Sequence, residues 1–216
     1  MLAVLASVAA CAQTSEVGNW FILVGNQGFN ARWNWHNEVQ YRNYDLGGDL
    51  QQLLLRTGIG YDLSEKNNNV LLGYAFVHSR NYVGDDDDIV RTDEHRIFQQ
   101  FITRQTFSRT LLTHRYRFEE RHWDDEWRYR LRYLLWVHVP LNKPTMATGA
   151  FYTSTYGELF LNTTDPVFDR YRLYGAFGYA LNGWLRMELG YMRQGVGTGY
   201  RDQVQVAFFN NLRLDK

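Results

Sequence analysis

The stretch that decides the fold is Thr113–Pro140, THRYRFEERHWDDEWRYRLRYLLWVHVP. Arginine or glutamate recurs at almost every second position on both sides of Asp124 and Asp125. Successive side chains of a β-strand point to opposite faces of the sheet, so this spacing predicts two strands that each have one charged face and one apolar face. The apolar residues of the pattern are Tyr116, Phe118, Tyr129, Leu131, Tyr133 and Leu135.

The same period of two continues along most of the chain. Turn-forming sequences such as DLGGD, SEKNNN and NTTDP separate the alternating segments. Regular strands divided by turns predict an all-β barrel or sandwich. The eleven predicted strands are Asn19–Gly25, Arg32–Tyr44, Gln51–Asp62, Val70–Tyr82, Asp93–Phe107, Leu111–Trp123, Trp127–Val139, Gly149–Asn162, Arg170–Leu181, Leu185–Gln194 and Asp202–Leu214.

The connections between these segments differ in length. The connections Phe107–Thr110 and Leu181–Trp184 are tight. If the strands form an outer-membrane barrel, these turns are expected on the periplasmic side, because such barrels have short periplasmic turns and longer external loops. The first segment would then run inward from the outside, and bacterial barrels usually have an even strand number. We therefore expect about 10–12 strands: ten if the first segment is not a wall strand, twelve if one strand is unrecognised. The predicted external connections are Tyr82–Thr92, His122–Glu126, Thr163–Asp169 and Gly195–Tyr200.

Alternation alone leaves open which face is inside. A soluble lipocalin-like barrel would place the apolar face inside, whereas a membrane barrel places it against lipid. Arginine far outnumbers lysine, which occurs only at Lys66, Lys143 and Lys216, and arginine suits paired charges in confined space. These features favour a single antiparallel transmembrane β-barrel with a polar interior. Aromatic residues near the segment ends, expected at the membrane interfaces, are Trp33, Trp35, Tyr44, Tyr61, Tyr82, Trp123, Trp127, Trp136 and Trp184.

The charged face predicts a network of ion pairs that plugs the lumen, since the interior of a small barrel is largely filled by side chains. The alternative is a narrow lumen with surplus positive charge that passes or holds an anionic solute. The predicted network consists of Glu38, Arg42, Arg56, Glu94, Arg96, Arg115, Arg117, Glu119, Arg128, Arg130, Arg132, Glu158, Arg170, Arg172, Arg186 and Glu188.

The amino terminus has the features of an export signal. Residues 1–12 are apolar and end in an A-x-A pattern, which predicts a signal peptide followed by a barrel over residues 13–216. Two other interpretations are open: a lipobox that makes Cys11 a lipidated terminus, and a buried apolar strand. Because Cys11 is the only cysteine, the chain has no disulfide framework and no cysteine metal site.

Composition and motifs exclude several functions. A net charge of zero argues against a dedicated nucleic-acid binder, and the six histidines lack the spacing of a zinc site. We expect no cofactor, no metal and no catalytic residues. A lipid-modifying enzyme that pairs His114 or His138 with Ser108 or Ser154 is an alternative without a specific motif. The acidic run over residues 85–88 is typical of a solvated loop.

An ordered series of short motifs resembles the small bacterial outer-membrane proteins grouped as domain of unknown function 2490. The resemblance covers about Gly18 to Leu214 and implies an exported β-barrel of unassigned activity, with no catalytic residues to carry over. We expect a monomer in the outer membrane of a Gram-negative bacterium that contacts lipid, lipopolysaccharide and the barrel-assembly machinery; a soluble periplasmic ligand-binding barrel is a further alternative. The motifs are Trp35-x-x-Glu38-x-Gln40-x-Arg42, Arg56-x-Gly58-x-x-Tyr61, Leu72-Gly73-Tyr74, Glu94-x-Arg96-x-x-Gln99-Gln100, Arg115-Tyr116-Arg117-x-Glu119-x-Arg121, Arg128-x-Arg130-x-Arg132, Glu158-x-Phe160-x-Asn162, Asp169-Arg170-x-Arg172 and Glu188-Leu189-Gly190-Tyr191.

Overall fold

Eleven β-strands form one closed barrel in the computed structural model, which describes residues 17–64, 67–83 and 88–214. The predicted signal peptide, Cys11 and residues 85–87 of the acidic run lie outside the described residues. Within the described ranges, no helix is long and apolar enough to cross a membrane. The strands are β1 (Gly18–Gly28), β2 (Trp33–Asn43), β3 (Leu50–Asp62), β4 (Asn68–Val83), β5 (Asp88–Phe107), β6 (Thr110–Trp123), β7 (Glu126–Pro140), β8 (Phe151–Asn162), β9 (Phe168–Ala180), β10 (Leu185–Val196) and β11 (Gly199–Asn210).

The barrel closes through a parallel pair. Strand β1 lies beside β11 with Ile22 opposite Ala207, and every other neighbouring pair is antiparallel. An odd number of strands joined by hairpins must close in this way, because the first and last strands then run in the same direction. The eleven predicted segments are therefore confirmed as wall strands. Eleven strands lie within the expected range of about 10–12. Neither even-numbered alternative, ten or twelve, is right, and the sheet is antiparallel except for the β1–β11 pair.

The two ends of the barrel are named here after the terminal strands. The N end is where β1 and β11 begin, and the C end is where both of them finish. The predicted tight turns lie together at the C end, and the four connections predicted to be external lie together at the N end. The lengths of the connections do not distinguish the two ends as expected. The C end also has the long connection over residues 141–150, and the N end has the short β10–β11 turn.

The hairpin of the opening stretch turns through two residues. Asp124 and Asp125 have φ angles of 50° and 58°, the left-handed conformation that a two-residue hairpin turn requires and that aspartate tolerates. This turn sets the register of β6 and β7 and places Glu119 directly opposite Arg130. Charged side chains of the two strands consequently lie on one face.

The charged face is the inside of the barrel. Glu119 is 1% exposed, whereas Leu131 on the same hairpin is 50% exposed and faces outward. Exposed apolar side chains continue around the wall, among them Phe21, Leu72 and Leu189. Two aromatic residues predicted to lie at the membrane interfaces point into the barrel instead. Trp123 and Trp136 share the inward face of their strands with Arg121 and His138, and they line the lumen.

Candidate functional site

Glu119 is the centre of a charged layer that crosses the lumen. Its two carboxylate oxygens accept hydrogen bonds from Arg130 at 2.6 Å and from Arg132 at 2.5 Å. Arg117 lies 3.7 Å away on the same strand. A buried carboxylate is stable only where such partners replace its water, and the three guanidiniums supply them.

Glu158 on β8 extends the layer. It accepts hydrogen bonds from Arg132 and from Arg115, each at 2.6 Å, and Arg172 approaches it at 3.7 Å. Arg132 thus joins two carboxylates, one on each neighbouring strand. The Phe160 ring packs beneath these cations, with the Arg132 guanidinium carbon 4.4 Å from the ring centre.

The other half of the lumen holds a separate pair. Glu38 on β2 accepts a hydrogen bond of 2.6 Å from Arg56 on β3, and both side chains are buried. Nearer to the N end, Glu94 is held by Arg96 at 2.7 Å and by Arg121 at 2.5 Å. We call the nine side chains that fill the middle of the lumen the Arg–Glu layer: Glu38, Arg56, Arg115, Arg117, Glu119, Arg130, Arg132, Glu158 and Arg172.

Glu188 has tyrosine partners where the sequence predicted arginine. Tyr152 and Tyr174 donate hydroxyl hydrogen bonds to it at 3.1 and 3.2 Å, and His138 lies 3.6 Å away. Tyr152 reaches Glu188 across β9, where Gly178 occupies the intervening position of the row. The absence of a side chain at Gly178 leaves the space that the Tyr152 ring fills.

The remaining predicted network residues lie at the edges of this arrangement. Arg128 is exposed at the N end, where it pairs with Glu126. Arg170 pairs with Asp169 at the same mouth. Arg186 stacks against Tyr152 and Phe209 near the C end. The structure therefore brings most of the predicted residues together in the lumen but leaves Arg128 in solvent.

Two cavities flank the Arg–Glu layer. The cavity on the C-end side has a volume of about 480 Å³ and mixes apolar walls with charged side chains. The cavity on the N-end side has a volume of about 410 Å³, and arginine is the commonest residue in its lining. The side chains that border both are Trp20, Arg42, Arg56, Arg132 and Arg172, so these residues form the partition between the two spaces.

The serine and histidine pairs considered for lipid hydrolysis are not arranged as nucleophile and base. His138 and Ser154 are cross-strand partners on the inner face. The Ser154 hydroxyl accepts a hydrogen bond of 2.7 Å from Trp136, and within the described part of the chain neither ring nitrogen of His138 has a hydrogen-bond partner. His114 faces outward and contacts the Tyr133 hydroxyl at 2.9 Å. Ser108 lies in the β5–β6 turn.

Sequence reasoning missed the aromatic residues inside the lumen. Trp20, Phe98 and Phe160 are almost fully buried and lie against arginine side chains. Phe98 and Phe160 share the strand face of Arg96 and Glu158, so parity alone could have found them. The segment around Trp20 is apolar on both faces, so alternation does not indicate which of its side chains point into the barrel.

A family model described as "Protein of unknown function (DUF2490)" matches residues 17–205. The chain belongs to this family. The match spans β1 to the first half of β11, so nearly the whole DUF2490 barrel, including the Arg–Glu layer, is covered. Comparisons with curated proteins and with solved structures gave no match. Membership agrees with the resemblance found in the sequence motifs and assigns no activity.

Proposed function

We propose that this DUF2490 protein is an integral outer-membrane β-barrel whose lumen is closed by the Arg–Glu layer. The observation that carries the proposal is the inverted distribution of polarity. Carboxylates and guanidiniums are buried inside the barrel, whereas leucine, phenylalanine and tyrosine side chains are exposed around its wall. Lipid is the solvent in which such an exterior is stable.

Aromatic residues at the strand ends support the same placement. Trp33 and Trp184 are exposed at the C end, and Trp127 and Tyr200 are exposed at the N end. Rings at these two levels fit the two membrane–water interfaces. In this orientation the barrel is a monomer that contacts outer-membrane lipid and lipopolysaccharide and is inserted by the barrel-assembly machinery. No nucleic acid is involved.

The partition between the two cavities favours a closed lumen over an open anion channel. Arg132 is part of this partition and is held in place by hydrogen bonds to Glu119 and Glu158. An ion that crossed the barrel would have to displace these contacts. The proposal therefore gives the layer a structural role, and conductance in a planar bilayer is expected to be absent.

Fractionation tests the membrane placement. The full-length chain, expressed in a Gram-negative bacterium, is expected in the outer-membrane fraction, resistant to carbonate extraction and with a gel mobility that changes on heating. Release by carbonate in soluble form would overturn the proposal and support a soluble ligand-binding barrel. Stable conductance with anion preference would overturn the closed lumen but not the membrane placement.

A further inference from the structure

Arg42 is a buried cation whose hydrogen-bond partners are neutral. It is 7% exposed, and it donates to the side-chain oxygens of Gln40 and Gln52. Its guanidinium carbon lies 3.8 Å from the centre of the Trp20 ring. Among the described residues, no carboxylate lies within ion-pair distance of Arg42. A buried charge is normally paired, so this arrangement lacks a counter-ion.

Arg172 approaches the same indole ring. Its guanidinium carbon lies 5.0 Å from the centre of Trp20, and its Nε donates to the Gln194 side chain at 2.8 Å. The carboxylate near it is Glu158 at 3.7 Å, which already accepts hydrogen bonds from two other arginines. Two guanidiniums therefore share one ring and are held chiefly by glutamine amides.

These two cations lie at the floor of the N-end cavity. Among the described residues, eight arginines and Glu94 line this cavity, which has a volume of about 410 Å³. Five carboxylates pair with those arginines: Glu38, Glu94, Glu119, Glu158 and Asp169. Two of the five, Glu119 and Glu158, are shared with Arg117 and Arg115, which lie outside this cavity. Positive charge is therefore in excess where the cavity meets the partition.

We propose that the N-end cavity binds a compact multivalent oxyanion of the phosphate type, seated on Arg42 and Arg172. The planar guanidinium donates two parallel hydrogen bonds to oxyanion oxygens, and several arginines in a confined mouth concentrate anions. The Gln40, Gln52 and Gln194 amides are exchangeable partners that an oxyanion replaces. The Arg–Glu layer beneath closes the floor, so the space is a binding pocket. The inference rests on the closed lumen, not on the membrane placement.

Inorganic pyrophosphate is the probe. The full chain, folded in a non-ionic detergent, is titrated at constant ionic strength by calorimetry and by tryptophan fluorescence, to which Trp20 and Trp123 beside the cavity contribute. Saturable binding is expected, weakened about 10- to 100-fold in Arg42→Gln and in Arg172→Gln, since hydrogen bonds to charged groups are of that strength. Arg193→Gln removes a cation from the outer wall, where Arg193 pairs with Asp202, and is expected to bind as the wild type.

A second variant separates ligand binding from folding. Gln52→Glu supplies an internal carboxylate to Arg42 and is expected to keep the fold, judged by heat-modifiable mobility, while it abolishes pyrophosphate binding. No saturable binding to the folded wild type would overturn the inference, as would unchanged binding in Gln52→Glu. Competition by glycerol phosphate assigns the site to a soluble phosphate monoester, and competition by short-chain phosphatidic acid alone assigns it to the phosphate monoester of a lipid headgroup. Failure of fractionation would leave this result standing.

Discussion

Arg117 and Arg132 lie directly opposite each other across the β6–β7 hairpin. Like charges in this position repel each other and destabilise a sheet, yet both side chains are buried. Glu119, two residues along β6, approaches both of them and also accepts two hydrogen bonds from Arg130. Glu119 is therefore a counter-ion that three guanidiniums share, although Arg130 and Arg132 each have a second carboxylate partner in Asp169 and Glu158.

Replacement of Glu119 by glutamine is expected to destabilise the barrel by about 3–5 kcal/mol, because three buried cations lose their shared counter-ion. The measurement is the urea midpoint of the protein folded in detergent, followed by heat-modifiable mobility. Glu126→Gln removes a carboxylate from the exposed tip of the same hairpin and is expected to cost at most about 1 kcal/mol. Equal effects of the two substitutions would contradict a buried layer centred on Glu119.

The positions of the strands could be predicted because nearly every strand alternates between a charged and an apolar face. For example, the predicted segments Arg32–Tyr44 and Trp127–Val139 differ from the observed strands β2 and β7 by one residue at each end. The expected range of about 10–12 strands contains the observed eleven, but an odd number departs from the even-number habit of bacterial barrels. The closing pair depends on a contact between β1 and β11 that no local pattern records. The register between β1 and β11 in the closed sheet shows that contact.

The partners of the charged residues could be predicted only in part. Parity places Glu188 on the inner face, but its contact with Tyr152 depends on a row that crosses three strands, with Gly178 between Tyr152 and Glu188. Arg42 likewise shares the inward face of Glu38, and the register places it beside glutamine and Trp20. Alternation assigns a side chain to a face, whereas pairing across the lumen depends on the closed shape.

The outer wall gives a test that separates lipid from water. Leu131→Arg places a cation in the apolar band of β7, and in a bilayer it is expected to cost about 2–4 kcal/mol. Trp127→Arg lies on the same face four residues nearer to the turn, where about 0–1 kcal/mol is expected. Unfolding in lipid vesicles measures both. A neutral or stabilising Leu131→Arg would indicate that water, not lipid, surrounds this wall.

The parallel seam can be trapped by a disulfide. In a Cys11→Ser background, Ile22→Cys with Ala207→Cys is expected to cross-link on oxidation, because these residues are register partners and their Cα separation in a sheet is within disulfide range. Non-reducing electrophoresis detects the faster, closed form. Ile22→Cys with Phe208→Cys is the control, since neighbouring positions of β11 face opposite sides of the wall. Cross-linking of the control but not of the first pair would show that β1 does not occupy this register.

Gly178 and Gly175 lie on the same strand and predict opposite responses to alanine. A Cβ at Gly178 would overlap the Tyr152 ring, whereas a Cβ at Gly175 meets nothing within 4 Å. Gly178→Ala is therefore expected to cost about 1–3 kcal/mol through overpacking, with a further loss if Tyr152 no longer reaches the buried Glu188. Gly175→Ala is expected to be neutral or to stabilise by up to about 1 kcal/mol. Urea midpoints measure both.

A double substitution identifies the cause of the Gly178→Ala effect. In a Tyr152→Ala background the ring is gone, so adding Gly178→Ala is expected to lower stability little beyond the effect of Tyr152→Ala alone. The coupling free energy between the two substitutions should then equal most of the effect that Gly178→Ala has in the wild type. Additive effects would mean that the methyl group added by Gly178→Ala disturbs the backbone of β9 and its neighbours β8 and β10, and not the Tyr152 ring. In that case the row from Tyr152 to Glu188 would not depend on a glycine at its centre.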